Sequence, residues 1–292
     1  MVVTIAHDII RIGRCKLAVL SAGDASGEPI VLLHGIPASA ELFRDVMRHL
    51  AHAGYRVHAP YLPGYGKTRL PDDYDYSLST AADVFAIWLE QENIKPCWLI
   101  GHDLGGAIAQ IMVVRYPHLI SQLTLGDTVA ADSFPVLPVK MLQMLAAIGL
   151  YPSMVSLNLI PNPYTDWSLQ RAFANPALLT YEAQGRVFWD DKVDDPQGKQ
   201  EFAKHLRDLS NIANVEIASY LRDLTIPVLL LWADQDPYQP YNTVGEALRR
   251  LLRHRPDVTI IEDAGHFLPL EKPKAYADAL IAWNTGLRLQ AG

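Results

Sequence analysis

Short apolar runs alternate along this chain with stretches of helical periodicity. Residues 9–12 and 17–20 read as the paired strands of an opening hairpin, 30–33 as a buried strand, 41–53 as a helix and 55–59 as another strand. An amphipathic helix over 79–92, a strand at 97–100, a helix from about 104 to 116 and a strand at 120–125 follow. Each apolar run is short and nearly continuous, as a strand covered on both faces should be, so the alternation predicts a mostly parallel sheet. The pattern breaks at about Ala131, where Pro135, Pro138, Pro152, Pro161, Pro163 and Pro176 punctuate helical stretches rich in Leu, Met, Tyr and Trp. It resumes after Ser219 with a strand at 226–232, a helix at 243–253, a strand at 258–262 and a last helix at 274–287. The expectation is one α/β core, residues 1–130 and 221–292, with helices on both faces of its sheet, interrupted by a helical cap over 131–220. There is no internal repeat and no low-complexity tract.

Composition narrows the partners. With 292 residues, half of them hydrophobic and 20% charged, the chain can bury a large core, which excludes disorder and small disulfide-stapled scaffolds. Its 25 basic against 32 acidic side chains give a net charge of −7, and no Lys/Arg run could neutralise a phosphate backbone, so no nucleic-acid partner is expected. The apolar runs fall far short of the ~20 residues that cross a bilayer, so no membrane partner is expected. The first ten residues, which include His7 and Asp8, lack the charged start, apolar middle and small-residue cleavage site of a secretory leader. A cytoplasmic location is the default expectation. Of the two cysteines, Cys97 sits in an apolar run and reads as a buried free thiol.

The chemistry concentrates at strand ends. Trp98-Leu99-Ile100-Gly101-His102-Asp103-Leu104-Gly105-Gly106 is a buried strand followed at once by Gly-x-Asp-x-Gly-Gly and a helix, the pattern of a nucleophile elbow. Glycines two positions either side let strand and helix approach closely enough to expose the middle residue, Asp103. A carboxylate is already anionic near neutral pH; it initiates amide hydrolysis poorly but can displace a leaving group from saturated carbon, giving an ester that must then be hydrolysed. The bland alternative is a glycine-flanked turn with Asp103 capping the helix. His34-Gly35-Ile36-Pro37 leaves another buried strand; there the N–H of Ile36, with that of Leu104, would form an oxyanion hole. The alternative for that turn is structural, with His34 satisfied by backbone groups. Near the C-terminus, Ala264-Gly265-His266 places a histidine on a loop between strand and helix, and His266 is the candidate base. Two strand-end carboxylates compete to orient it: Asp236, preferred because its loop lies between the last two long strands, and Asp127, which adjoins the cap. Gly64-Tyr65-Gly66-Lys67-Thr68 ends like a phosphate-binding loop, but Tyr61 stands where its first glycine belongs. His49 and His52 are too close for a helical zinc pair, and no metal site is expected.

Together these motifs resemble the α/β-hydrolase superfamily over nearly the whole chain, and Asp at the elbow resembles its epoxide hydrolase and hydrolytic dehalogenase branch. The resemblance implies an α/β-hydrolase fold with a helical cap and a triad of Asp103, Asp236 and His266. It further implies a small apolar electrophilic substrate and no metal or organic cofactor. Haloalkane dehalogenases usually carry Trp after the nucleophile and often Asn after His-Gly, where this chain has Leu104 and Ile36; fluoroacetate dehalogenases place Arg just after the nucleophile, and 104–110 has none. Epoxide hydrolases use cap tyrosines as donors to the epoxide oxygen. The candidates here are Tyr151, whose spacing resembles the family's first, Tyr164, Tyr181 and Tyr220, with His205 near the expected place of the second. Some dehalogenases of the branch take their acid from the earlier strand, where Asp127 stands. The activity expected is hydrolysis of an epoxide to a vicinal diol through an ester on Asp103. The alternatives are dehalogenation with the same nucleophile, or a non-catalytic ligand-binding member of the fold.

Overall fold

The computed structural model describes residues 3–157, 159, 167–189, 195–254 and 256–291. Among them, eight strands form one sheet: β1 (Ala6–Ile12), β2 (Cys15–Ala22), β3 (Pro29–Leu33), β4 (Arg56–Pro60), β5 (Cys97–His102), β6 (Ile120–Gly126), β7 (Val228–Ala233) and β8 (Asp257–Ile261). Their order across the sheet is β1-β2-β4-β3-β5-β6-β7-β8. The β1–β2 hairpin is antiparallel, β2 runs antiparallel to β4, and every pairing from β4 to β8 is parallel. The predicted mostly parallel sheet and its opening hairpin are therefore present.

The strands read as continuous apolar runs because successive side chains enter different cores. Val31, Leu33, Leu99, Leu123 and Leu230 join α2 (Leu78–Gln91) and α3 (Leu104–Arg115) on one face. Ile30, Leu32, Trp98, Ile100 and Leu229 meet α1 (Arg44–His52) and α12 (Pro273–Ala291) on the other. Two expected helices are shorter than their periodicity suggested. The 41–53 segment opens with a 3-10 turn at Ala40–Phe43 before α1, and the 243–253 segment opens with a wide turn at Tyr241–Gly245 before α10 (Glu246–Leu251). Periodicity reports which face is apolar and says little about the pitch of a terminal turn.

Between β6 and β7 lie α4 (Leu137–Ala147), α5 (Tyr151–Ser156), α6 (Trp167–Arg171), α7 (Tyr181–Gln184), α8 (Pro196–Asp208) and α9 (Ile212–Ile217). Several of the prolines that broke the sequence pattern start helices instead of interrupting them. Pro138 and Pro152 each sit in a first turn, where a missing N–H costs nothing; Pro196 does the same in α8, which the Asp195 carboxylate caps by accepting from the N–H of Gln197. The α4 and α8 helices pack together, and the segment containing α4 leans over the ends of β3, β5 and β7. Short α11 (Leu268–Glu271) follows β8. No helix among the described residues is long and apolar enough to cross a membrane.

Candidate active site

Parallel strands deliver their C-terminal ends to one edge of the sheet, so the loops after β3, β5, β6, β7 and β8 meet there. The tightest is the turn from β5 into α3. Asp103 occupies it with φ +51° and ψ −120°, a conformation that costs an L-residue roughly 1–3 kcal/mol and persists only where the surroundings enforce it. The surroundings do so: the Asp103 N–H donates to the Gly126 carbonyl at 3.4 Å, and the Thr128 hydroxyl donates to the Asp103 carbonyl at 2.5 Å. A Cβ on Gly105 would stand 2.0 Å from the Leu33 carbonyl oxygen, which is why strand and helix cross so closely here only with glycine. Although Asp103 stands at the N-cap position of α3, its side chain makes no N-capping hydrogen bond there.

The carboxylate instead turns toward the β3 loop. The Ile36 N–H donates to Asp103 Oδ1 at 2.8 Å, and the Leu104 N–H favours the charged form of the carboxylate. Gly35 is required beside it, since a Cβ there would lie 2.1 Å from Oδ1. His34 fixes this loop. The Leu62 N–H donates to its Nε2 at 3.0 Å, which makes Nδ1 the protonated nitrogen, 3.0 Å from the Gly35 carbonyl it donates to. The structural reading of His34 is the one observed, and it serves to aim the Ile36 N–H.

Opposite the elbow, His266 Nε2 lies 3.7 Å from Asp103 Oδ2, and its Nδ1 lies 2.8 Å from Asp236 Oδ2. Asp236 is buried, and its other oxygen accepts the N–H groups of Tyr238 at 2.8 Å and Gln239 at 3.0 Å. Asp127 does not take the acid's place. Its Oδ1 accepts the Ala233 N–H at 3.0 Å, and its Oδ2 has no hydrogen-bond partner. The structure thus brings together the preferred set, Asp103, His266, Asp236 and the N–H groups of Ile36 and Leu104.

Charge follows from this packing. Burial pulls His266 toward the neutral form, yet the Asp236 carboxylate, supported by Asp103, overrides it and holds the imidazole up to about 9. Burial raises the Asp103 carboxyl, and the His266 charge and the two N–H groups work against that rise. Burial, with the neighbouring Asp236 charge, lifts Asp127 well above the carboxylate range and keeps it a neutral acid. His102, ring to ring with His266 at 5.0 Å, is held well below its ordinary value by burial and stays neutral.

Above Asp103 lies a cavity of about 90 Å³. Among the described residues its polar lining is Asp103, His266, Tyr238 and Gln239; Ile36, Pro37 and residues of the α4, α6 and α11 regions make the rest apolar. The cap candidates are elsewhere. Tyr151 is buried, its ring packs against Phe202 of α8 with centroids 5.6 Å apart, and it is not among the residues lining the cavity. Tyr181 and Tyr220 are largely exposed. His205 packs between Tyr65 and Phe202 with Nδ1 3.3 Å from the Tyr76 carbonyl, and Tyr164 lies outside the described residues.

Three residues of the site escaped the sequence reading. Tyr238 and Gln239 follow Asp236 directly, and their place in a loop opposite His266 was the available signal. The third, Glu271 in α11, is buried. Its Oε1 accepts the Gly265 N–H at 2.8 Å, while its Oε2 accepts those of Ala174 at 3.0 Å and Asn175 at 3.2 Å. The His266 N–H itself donates to the Ala172 carbonyl at 2.7 Å, so the base loop is tied to the cap at several points.

Residues 28–273 match the family described as alpha/beta hydrolase fold, and the chain belongs to that family. It is similar to the pimeloyl-[acyl-carrier protein] methyl ester esterase of Aeromonas salmonicida, 36% identical over 86% of this chain and 93% of that one. It is also similar to a haloalkane dehalogenase of Mycobacterium marinum, 26% identical over 92% and 89%. Among solved structures it shares its fold with the haloalkane dehalogenase DbeA of Bradyrhizobium elkani, at TM-score 0.81 and 19% identity over 98% and 100% of the two chains. The epoxide hydrolase CorEH shares it at 0.74 and 23% over 97% and 100%. The family, the fold and this spread of relatives define an α/β hydrolase, without fixing its specificity.

Proposed function

We propose that this hydrolase opens a small apolar epoxide to a vicinal diol through a covalent ester on Asp103. The observation that carries the reading is the division of labour between the two carboxylate oxygens: Oδ1 sits against the Ile36 N–H and Oδ2 faces His266 and the cavity. One oxygen is positioned to attack, and the other already occupies the place where an oxyanion will form.

In the resting site Asp103 is anionic, His266 is a cation and Tyr238 is neutral. An Oδ2 electron pair bonds to an epoxide carbon, the C–O bond breaks toward oxygen, and the Tyr238 hydroxyl protonates the resulting alkoxide. Esterification removes one of the charges that held His266 up, so its proton passes to the Tyr238 phenolate; the two rings stand edge to face at 5.7 Å. Now neutral, His266 takes a proton from water, and hydroxide adds to Cγ. The oxyanion grows on Oδ1 against the N–H groups of Ile36 and Leu104. Collapse expels the alkoxide bearing Oδ2, which takes the proton of the new carboxyl group and leaves as diol. Asp103 is again anionic and His266 again charged.

A second reading, displacement of halide from an alkyl chain, is supported by the haloalkane dehalogenase relative and by an apolar cavity whose leaving atom would need no proton. The test is an intact-mass measurement on His266→Gln after incubation with epoxides and alkyl halides, with Asp103→Asn as control. A gain equal to the whole epoxide, absent from the control, is the expected result. A gain lacking hydrogen halide would move the assignment to dehalogenase. No gain from any member of either class would overturn the covalent reading and favour a ligand-binding member of the fold.

A further inference from the structure

We infer that the Gln239 side-chain amide is the hydrogen-bond donor for the leaving atom, so that this group comes from the loop of the triad acid and not from the cap. The inference rests on the proposed alkylation of Asp103 and adds a residue to it. Displacement at carbon moves negative charge onto the leaving atom, and in an apolar, water-poor cavity that charge is costly unless a donor meets it. Asp103 and His266 work on the nucleophile's side. Gln239 and Tyr238 are the remaining polar side chains lining the cavity among the described residues.

The hydrogen bonds of Gln239 leave one group available. Its N–H donates to Asp236 Oδ1 at 3.0 Å, and its carbonyl accepts the Trp232 indole N–H at 2.6 Å. Its Oε1 accepts the Ser133 hydroxyl at 3.3 Å. The Ala130 N–H donates to that same hydroxyl oxygen at 3.0 Å, which leaves the Ser133 proton available to Gln239 Oε1. Among the described residues, none accepts a hydrogen bond from the amide nitrogen Nε2 of this buried side chain. Nε2 is not fully enclosed: it keeps open surface, and in a cavity that this residue lines it is placed to donate to a ligand atom. An amide donates a hydrogen bond without surrendering the proton. It therefore serves any leaving atom, halide or epoxide oxygen, while only the alkoxide also needs the acidic proton of Tyr238.

The test follows ester formation and ester hydrolysis separately. In the His266→Gln background, where ester accumulates, the rate of mass gain is measured with butylene oxide, chlorobutane, bromobutane and iodobutane, with and without Gln239→Leu. With His266 intact, decay of the preformed ester is timed for the same substitution. Gln239→Leu should slow ester formation on the order of 10²-fold for the reagent whose leaving atom concentrates charge most, with a loss that shrinks from chloride to iodide. Ester decay should change by less than about 3-fold, and the His266 Nδ1 proton should keep its downfield NMR signal. Ser133→Ala, which leaves the Gln239 backbone bonds in place, should give a smaller loss with the same leaving-group trend. Equal slowing of formation and decay, or a loss indifferent to the leaving atom, would make Gln239 a structural support of Asp236 and overturn the inference. If the parent with Gln239 intact accumulates no ester with any reagent, the nucleophile assignment fails first, and this role fails with it.

Discussion

The strand-end loops and the cap face each other across one cavity but were built under different constraints. Each loop residue at the sheet edge answers to a specific neighbour: Asp103 to Ile36, Thr128 and His266, and Asp236 to the N–H groups behind it. The cap side offers apolar surface from α4, α6 and the segment before them, with no phenol of its own at the cavity among the described residues. Chemistry is fixed where backbone geometry is fixed, and the cap shapes the space in which it happens.

The sharpest test of that division is loss of the nucleophile. Asp103→Asn keeps an oxygen for the Ile36 N–H but removes the attacking carboxylate, and it should abolish ester formation, a loss of at least about 10⁴-fold by intact mass. A complementary measurement uses wild-type enzyme in excess over substrate in ¹⁸O-labelled water. Because the proposed hydrolysis adds water to Cγ and releases Oδ2 with the product, the first turnover should label Asp103 and leave the diol unlabelled. Label in the diol after one turnover would mean direct attack by water on the substrate.

Two carboxylates at adjoining strand ends carry the comparison within the loops themselves. Asp236→Asn presents an amide to His266 Nδ1 and removes the charge that most raises its pKa; hydrolysis should fall by about 10⁴-fold, and the titration of His266 should drop from about 9. Asp127→Asn replaces an acid that is already neutral with a neutral isostere, so its rates should stay within about 3-fold of wild type. Stability supplies the sign. His266 is raised in the folded state, so the ion pair's contribution is fully present below its ordinary value of 6.5 and lost as pH rises through about 9. Thermal unfolding followed across that window should show a steeper decline for wild type than for Asp236→Asn.

The same contrast explains what could be read in advance. Gly101, Gly105 and Asp103 are recognisable because a strand, a strained turn and a helix admit few other residues in that order, and Gly35 is recognisable because the carboxylate lies where its side chain would be. His266 and Asp236 followed from chain order and strand ends. The cap carried no such rule. Tyr151 has the spacing of a donor but packs on Phe202, since an amphipathic ring serves a helix interface as well as a cavity. Tyr151→Phe should leave ester formation unchanged, whereas Tyr238→Phe should slow it about 10²-fold with an epoxide and little with an alkyl halide, as stopped mass measurements would show. An equal effect on both reagents would remove Tyr238 as proton donor.

Glu271 gives the finest test, because it spans both regions. It stands on neither expected motif, yet one oxygen holds the loop of His266 through Gly265 and the other holds the cap through Ala174 and Asn175. Burial raises its carboxyl even though three N–H groups favour the charged form. A carboxylate can accept on both sides, but a glutamine has only one accepting end. Glu271→Gln therefore sets an N–H₂ against backbone N–H donors on one side or the other, at a cost of about 1–3 kcal/mol in unfolding free energy. If the oxygen stays with Gly265, the cap segment at Ala174 and Asn175 loosens while the triad holds, and the ester should form and hydrolyse at nearly wild-type rates with weaker retention of substrate. If the oxygen stays with Ala174 and Asn175, the His266 loop shifts, and hydrolysis should slow by about 10-fold with ester formation spared. Timing the two steps in this one variant shows which of the two regions the carboxylate chiefly secures.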